Sequence, residues 1–205
     1  HLSSAFDALA FPHFRRHTLR HPAVNYLATG WRLARRGLEE ALARRTVAGI
    51  AGPYWLFAMQ MEDDYSLRAY SRYADLDGAM REAVASFARH APREASLLFK
   101  LHPLDPGLKR WRSRLAAMAR EAGAAGRVRF IDGGDPAALV AGSRGVVTVN
   151  STVGLLAIER GRPLAVLGET ICRVPGLAFE GPLDDFWTKA APPDPAFAQA
   201  ALRLV

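Results

Sequence analysis

After Pro53 the chain settles into an alternation that leaves few folds open to it. Five short apolar runs (Tyr54–Met59, Ser96–Lys100, Val128–Ile131, Gly145–Val149 and Leu164–Leu167) are separated by stretches with helical spacing. Leu76, Met80, Ala83, Val84 and Phe87 recur on one face of a helix over 76–90, and Trp111, Leu115, Met118 and Ala119 do so over 108–123. Shorter helices are predicted over 136–142, over 153–160 and from about Pro195, with Gly123 and Gly161 as stops. Runs that stay apolar instead of alternating belong to strands covered on both faces, and strand–helix alternation means a parallel sheet. The expected fold is α/β: one doubly wound, Rossmann-like domain over residues 51–205, preceded by a helical N-terminal segment, 1–50.

That N-terminal segment differs in charge. Residues 1–50 hold eight arginines against three acids, and four of the six histidines, in a chain of net charge +7. Basic balance concentrated in one segment points to an anionic partner. A helix is predicted over 23–45, its Tyr26, Leu27, Trp31, Leu38 and Leu42 interleaved with Arg32, Arg35, Arg36, Arg44 and Arg45. Such arginines line an anionic ligand cleft, meet acidic lipid headgroups, or lay their stems over apolar surface between two lobes. No nucleic-acid-binding fingerprint accompanies them, so nucleic acid is not expected as a partner. Half of the 205 residues are apolar, enough for one core, and no run reaches the ~18 apolar residues of a membrane span. The opening residues lack the basic-then-apolar pattern of a secretory leader, and a native start upstream of His1 is expected. The single cysteine, Cys172, excludes an internal disulfide and a multi-cysteine zinc site, and reads as a packing residue.

Ligands of open α/β sheets bind outside the carboxyl ends of the strands, so the residues following each strand are the candidates. After the first come Gln60, Glu62, Asp63 and Asp64, then Ser66, Arg68, Tyr70 and Ser71. They read as a solvated loop with helix-start acids, or as a site wall whose carboxylate bonds sugar hydroxyls or acts as a base. After the second come Lys100, His102, Pro103 and Asp105. A lysine ending an apolar run must find a partner or water, and His102 can donate to a phosphate oxygen from a backbone stiffened by Pro103. After the fourth, Asn150, Ser151, Thr152 and Gly154 open a helix. Its first amides are expected to be unpaired, either as an ordinary capped start or as a phosphate cradle. Asp132-Gly133-Gly134-Asp135 after the third strand reads as a tight turn or a base or ribose contact. Asp184 and Asp185 start a helix that turns Phe186 and Trp187 onto the sheet.

Other chemistries lack their residues. No P-loop, no Gly-x-Gly-x-x-Gly turn after the first strand and no Gly-x-Ser-x-Gly elbow occurs. His13, His17 and His21 are spaced by four, but Arg15, Arg16 and Arg20 among them would repel a cation, so no metal site is expected.

The segments MQMEDDYSLRAYSRY, SFARHAP, LLFKLHPLD, GRVRFID, GVVTVNSTVGLLAIERGRPLAVLGETICRVPGL and GPLDDFW, in this order over about residues 54–190, resemble the capsular polysaccharide biosynthesis/export family of the KpsS/LipB type. The resemblance implies a bacterial glycosyltransferase with a GT-B-type fold of two Rossmann-like lobes. It implies transfer of Kdo, an acidic eight-carbon sugar, from CMP-Kdo to a lipid-linked, phosphatidylglycerol-like acceptor. Further implications are a cytoplasmic location, peripheral at the inner membrane, capsule biosynthesis and export proteins as partners, and no cofactor beyond the sugar nucleotide. Carried over, Lys100 and His102 face the donor phosphate, and Ser151 and Thr152 hold phosphate or the Kdo carboxylate. Gln60 and Asp64 lie near the sugar, and Tyr70-Ser71 matches an aromatic-serine pair. The family carries an acidic motif in its N-terminal lobe that this chain lacks, so the catalytic nucleophile is unassigned, with Asp64 and His102 the candidates. Cys172 stands where the family usually has an aromatic residue. Two other readings stay open: a non-catalytic sugar-nucleotide-binding module of the export machinery, and a sugar-nucleotide epimerase.

Overall fold

A computed structural model describes residues 22–62 and 64–204. The readings placed on His13, His17 and His21, their neighbouring arginines, and Asp63 lie outside the described residues. Five parallel strands form one sheet: β1 (Tyr54–Ala58), β2 (Ser96–Lys100), β3 (Val128–Ile131), β4 (Val146–Thr148) and β5 (Leu164–Val166), in the order β3-β2-β1-β4-β5. The order runs outward from β1 in both directions, so the topological switch lies between β1 and β4. The doubly wound α/β fold expected from the alternation is what forms.

Both faces of β1, β2 and β4 are covered, which is why these strands read as apolar runs, while the edge strand β3 carries an exposed Arg129. One face carries Trp55, Phe57, Leu97, Phe99 and Val147 beneath α4 (Leu76–His90), α5 (Trp111–Glu121) and α8 (Leu183–Lys189). The other carries Leu56, Leu98, Ile131, Val146 and Leu164 beneath α2 (Arg36–Ala48), α6 (Pro136–Gly142), α7 (Val153–Glu159) and α9 (Pro195–Leu202). Phe186 and Trp187 of α8 turn inward as expected. Trp187 meets Phe87 edge-on at 5.3 Å and Trp55 at 6.0 Å, and its indole donates to Ser86 Oγ at 2.8 Å. Gly123 and Gly161 end α5 and α7 with positive φ, where the amides of Ala124 and Arg162 return to Ala119 and Ala157 carbonyls at 2.7 and 2.8 Å.

Two departures matter. The single helix expected over 23–45 is two, α1 (Pro22–Ala34) and α2, broken at Arg35 (φ −92°, ψ 1°). The break lets Arg32 of α1 reach Asp132 while Ala43 of α2 enters the core beside β3. A five-residue helix, α3 (Tyr65–Ala69), follows β1, started by Asp64, whose carboxylate accepts from the Ser66 amide. Among the described residues no helix is long and apolar enough to cross a membrane.

Register delivers the site. Ala58 lies beside Lys100 and Thr148, Lys100 beside Ile131, and Thr148 beside Val166. All five strands therefore end on one level, and the segments beginning at Met59, Leu101, Asp132, Val149 and Leu167 leave along one edge.

Candidate functional site at the strand ends

At the switch point two amide side chains clasp each other. Gln60 leaves β1 buried, 2% exposed, and Asn150 leaves β4 opposite it. Gln60 Nε2 donates to Asn150 Oδ1 at 2.7 Å, and the Asn150 backbone amide donates back to Gln60 Oε1 at 3.2 Å. Asn150 Nδ2 donates to the Ser66 carbonyl at 2.7 Å. Ser66 Oγ lies 2.8 Å from Asp64 Oδ1 and 3.1 Å from Asn150 Oδ1. Gln60, Asp64 and Asn150 are thus brought together, with their polar atoms used to hold the loops after β1, and after β4, in one geometry.

The end of β2 is built differently. Lys100 is buried, and its ammonium donates to the Leu101 carbonyl at 3.2 Å. No carboxylate lies within ion-pairing distance of it among the described residues. Burial pushes its pKa below the lysine range, opposed by the charges of Asp132, Glu40 and Asp135. His102 Nδ1 accepts from the Leu104 amide at 3.2 Å, which leaves Nε2 to carry the proton of the neutral ring. Burial, then Lys100, pushes its pKa below the ordinary histidine value, so the ring is a neutral donor near pH 7. The same loop buries Asp105, whose carboxylate accepts from the Gly107 amide at 2.7 Å and Trp111 Nε1 at 3.2 Å. Burial raises its pKa despite those bonds. A cavity of about 400 Å³ opens here, walled by Arg32, Arg36 and Glu40 on one side and Lys100, Pro103 and Asp132 on the other.

The helix start after β4 corrects an expectation. The first amides of α7 are not free: Val153 N donates to Ser151 Oγ at 3.3 Å, Gly154 N to Ser151 O, and Leu155 N to Thr152 O, the last two at 3.0 Å. A tight turn consumes them before α7 begins. Asn150 caps nothing there, its side chain being spent on Gln60 and Ser66. Gly154 faces inward, where an added Cβ would lie 3.0 Å from Cys172 Sγ and 3.3 Å from a Leu164 methyl, so it serves close packing. Thr152 keeps an uncommitted, exposed hydroxyl. Ser71 lies away from this group, at the end of β5, where its hydroxyl donates to Leu67 O and accepts from Tyr73 N. Asp132 is an ion-pair partner of Arg32, and Asp135 starts α6, so the turn between them is structural at both ends.

One acidic trio, Glu62, Asp75 and Asp77, is close enough together to suggest a cation. Lys109 occupies it, 2.5 Å from Glu62 and 3.2 Å from Asp77, and Arg114 reaches Asp77 at 2.8 Å. Ser66, Asp105 and Arg32 stood among the polar residues named from the sequence, but their partners had no local signal: Asn150 for Ser66, Trp111 for Asp105 and Asp132 for Arg32.

The capsule polysaccharide biosynthesis protein family model matches residues 1–205. The chain belongs to this family. Within it the chain is 30% identical over 190 residues to the capsule polysaccharide export protein KpsS of Escherichia coli, covering 90% of this chain and 48% of KpsS. It is 29% identical over 154 residues to the capsule polysaccharide modification protein LipB of Neisseria meningitidis, covering 75% of this chain and 37% of LipB. The chain thus spans half or less of the curated family members it matches. Among solved structures, the beta Kdo 2,7 transferase KpsC of Thermosulfurimonas dismutans overlaps 76% of this chain and 53% of its own, at 16% identity and a TM-score of 0.47.

Proposed function

We propose that the chain is the donor-binding part of a capsule glycosyltransferase, one lobe of a GT-B-type enzyme that moves Kdo from CMP-Kdo to a lipid-linked acceptor. The expected setting is the cytoplasmic face of the inner membrane, with capsule biosynthesis and export proteins as partners. The observation that carries the reading is Lys100: a buried ammonium with no paired carboxylate among the described residues, on the cavity wall, next to the loop whose His102 keeps Nε2 for donation. CMP-Kdo presents a phosphodiester and a carboxylate. When the bond from the sugar's anomeric carbon to the phosphate oxygen breaks, its electron pair stays on that oxygen. Lys100 and the Nε2–H of His102 are suited to receive the developing charge. In this reading fixed side chains supply the charge, and no cofactor or metal is assigned.

A second reading has its own support. Asp64, Asp105 and Asp132 are all committed to partners in the fold. A lobe with donors for phosphate but no free carboxylate beside them among the described residues suits a binding module that does not itself catalyse. Calorimetric titration with CMP and UDP tests the proposal. CMP is expected to bind in preference to UDP, and Lys100→Met to weaken CMP about tenfold, as loss of a charged hydrogen-bond donor implies. Preference for UDP would turn the assignment toward the epimerase. Affinity unchanged in Lys100→Met would remove the phosphate role. Kdo transfer by this chain would exclude the non-catalytic reading.

A further inference from the structure

The loop that carries His102 is held by a residue seventy positions earlier. Arg32, on α1, has a side chain only 17% exposed. Its Nε donates to Asp132 Oδ2 at 3.0 Å and its Nη2 pairs with Asp132 Oδ1, a two-pronged grip on the segment after β3. Its Nη1 donates to the carbonyl of Pro103, at 3.3 Å, and to that of Asp105. One planar guanidinium thus joins the segments after β2 and β3, a task that needs several donors in a fixed fork. The site is shaped around it: a Cβ at Gly107 would lie 2.8 Å from Arg32 Cδ, so glycine there leaves room for the stem. A second tie from the same helical pair runs from the Gly134 amide to Glu40 Oε2, at 2.8 Å. Together they close α1 and α2 over the cavity in which Lys100 sits.

We infer that Arg32 is a positioning residue of the donor site, fixing the loop 102–107, whose Pro103 and Leu104 line the cavity, so that His102 stays beside Lys100. This rests on the donor-binding reading above. The basic N-terminal helices thereby become part of the site's construction, although they precede the sheet in the chain. The charged groups around the imidazole are Asp105 on its own loop, Lys100 at the end of β2, Asp64 after β1 and Arg32 from α1. Loss of the clamp lets water reach the ring and releases the Leu104 amide from Nδ1.

The test is made on the intact chain, by calorimetry with CMP and by NMR titration of the His102 ring nitrogens. Arg32→Gln is expected to weaken CMP about tenfold, to raise the His102 midpoint toward the ordinary value and to lose the fixed tautomer. Arg32→Lys separates charge from position. It keeps the charge but not the fork, so positioning predicts the same rise, whereas a through-space effect predicts the wild-type midpoint and overturns the inference. Should Arg32→Gln not fold, Asp132→Asn removes half of the grip, keeps both carbonyl bonds, and is expected to move His102 in the same direction. Arg35→Gln, whose guanidinium pairs with Glu39 at the surface, is expected to match wild type. Midpoint, tautomer and CMP affinity all at wild-type values in the Arg32 and Asp132 variants would sink the inference. If the wild-type chain does not bind CMP while Arg32→Gln and Arg32→Lys still shift His102, the donor assignment falls and the positioning role stands.

Discussion

Gln60 and Asn150 show how polar residues at a strand end can be structural and near a site at once. Gln60 Nε2 relies on the Asn150 side chain and the Asn150 backbone amide relies on Gln60 Oε1, so removing either side chain leaves one donor of the other residue without that bond. Asn150→Ala and Gln60→Ala are each expected to cost about 1–3 kcal/mol. In urea titrations the double variant should lose less than the sum, because the second substitution removes groups already orphaned. Strict additivity would mean that the clasp contributes nothing as a pair. Both residues were legible as strand-end polar groups, since Gln60 closes an apolar run and Asn150 opens a polar one. Their mutual bond was not, because it joins positions ninety residues apart and depends on which strands neighbour one another. The same limit hid Arg32. Nothing local distinguishes it from Arg35 or Arg36, and its partner Asp132 lies one hundred residues away.

Among the elements, β1 and β2 could be read from apolar runs flanked by breakers and β3 from a shorter one interrupted by Arg129, while β4 and β5 are shorter than their runs suggest. Gly145, Val149 and Leu167 extend the apolar character without extending the ladder. Helix α3 could not be read by periodicity, because five residues are too few to show a period, although Asp64 gave a capping signal. The break at Arg35 is marked in the sequence only by Gly37 two residues on, and tertiary ties lie on either side of it. Helix α8 illustrates the opposite case, in which two aromatics dictate the docking of a short element. Its seven residues cannot sustain a helix alone. Trp187 fills the space between Trp55 and Phe87 and satisfies its indole on Ser86. Trp187→Ala is expected to cost about 3–5 kcal/mol in chemical denaturation and to raise amide exchange across α8 first. A loss below about 1 kcal/mol would show that α8 is stabilised by other contacts.

For the molecule as a whole, the common level of the strand ends gathers groups whose protonation is tied to folding. The His102 midpoint is lower in the folded chain than in the unfolded one. Between those two values the unfolded state binds more protons, so stability rises with pH across that window and is lost as pH falls through the folded midpoint. Asp105, raised by burial, acts with the opposite sign at lower pH: the folded state binds the extra proton, and that contribution is lost as pH rises through its folded value. Urea midpoints should therefore be higher at pH 7.5 than at pH 5.5, and His102→Gln should reduce the difference. An unchanged difference would assign the slope to other groups.

The packing of Gly154 against Cys172 has a kinetic consequence. Cys172 is the only thiol of the chain, 1% exposed and with its pKa raised by burial. An alkylating reagent cannot meet a thiolate there until the segment around α7 and β5 opens. The rate of modification thus becomes a clock for breathing at one edge of the sheet, supplied by the sequence itself without an introduced label.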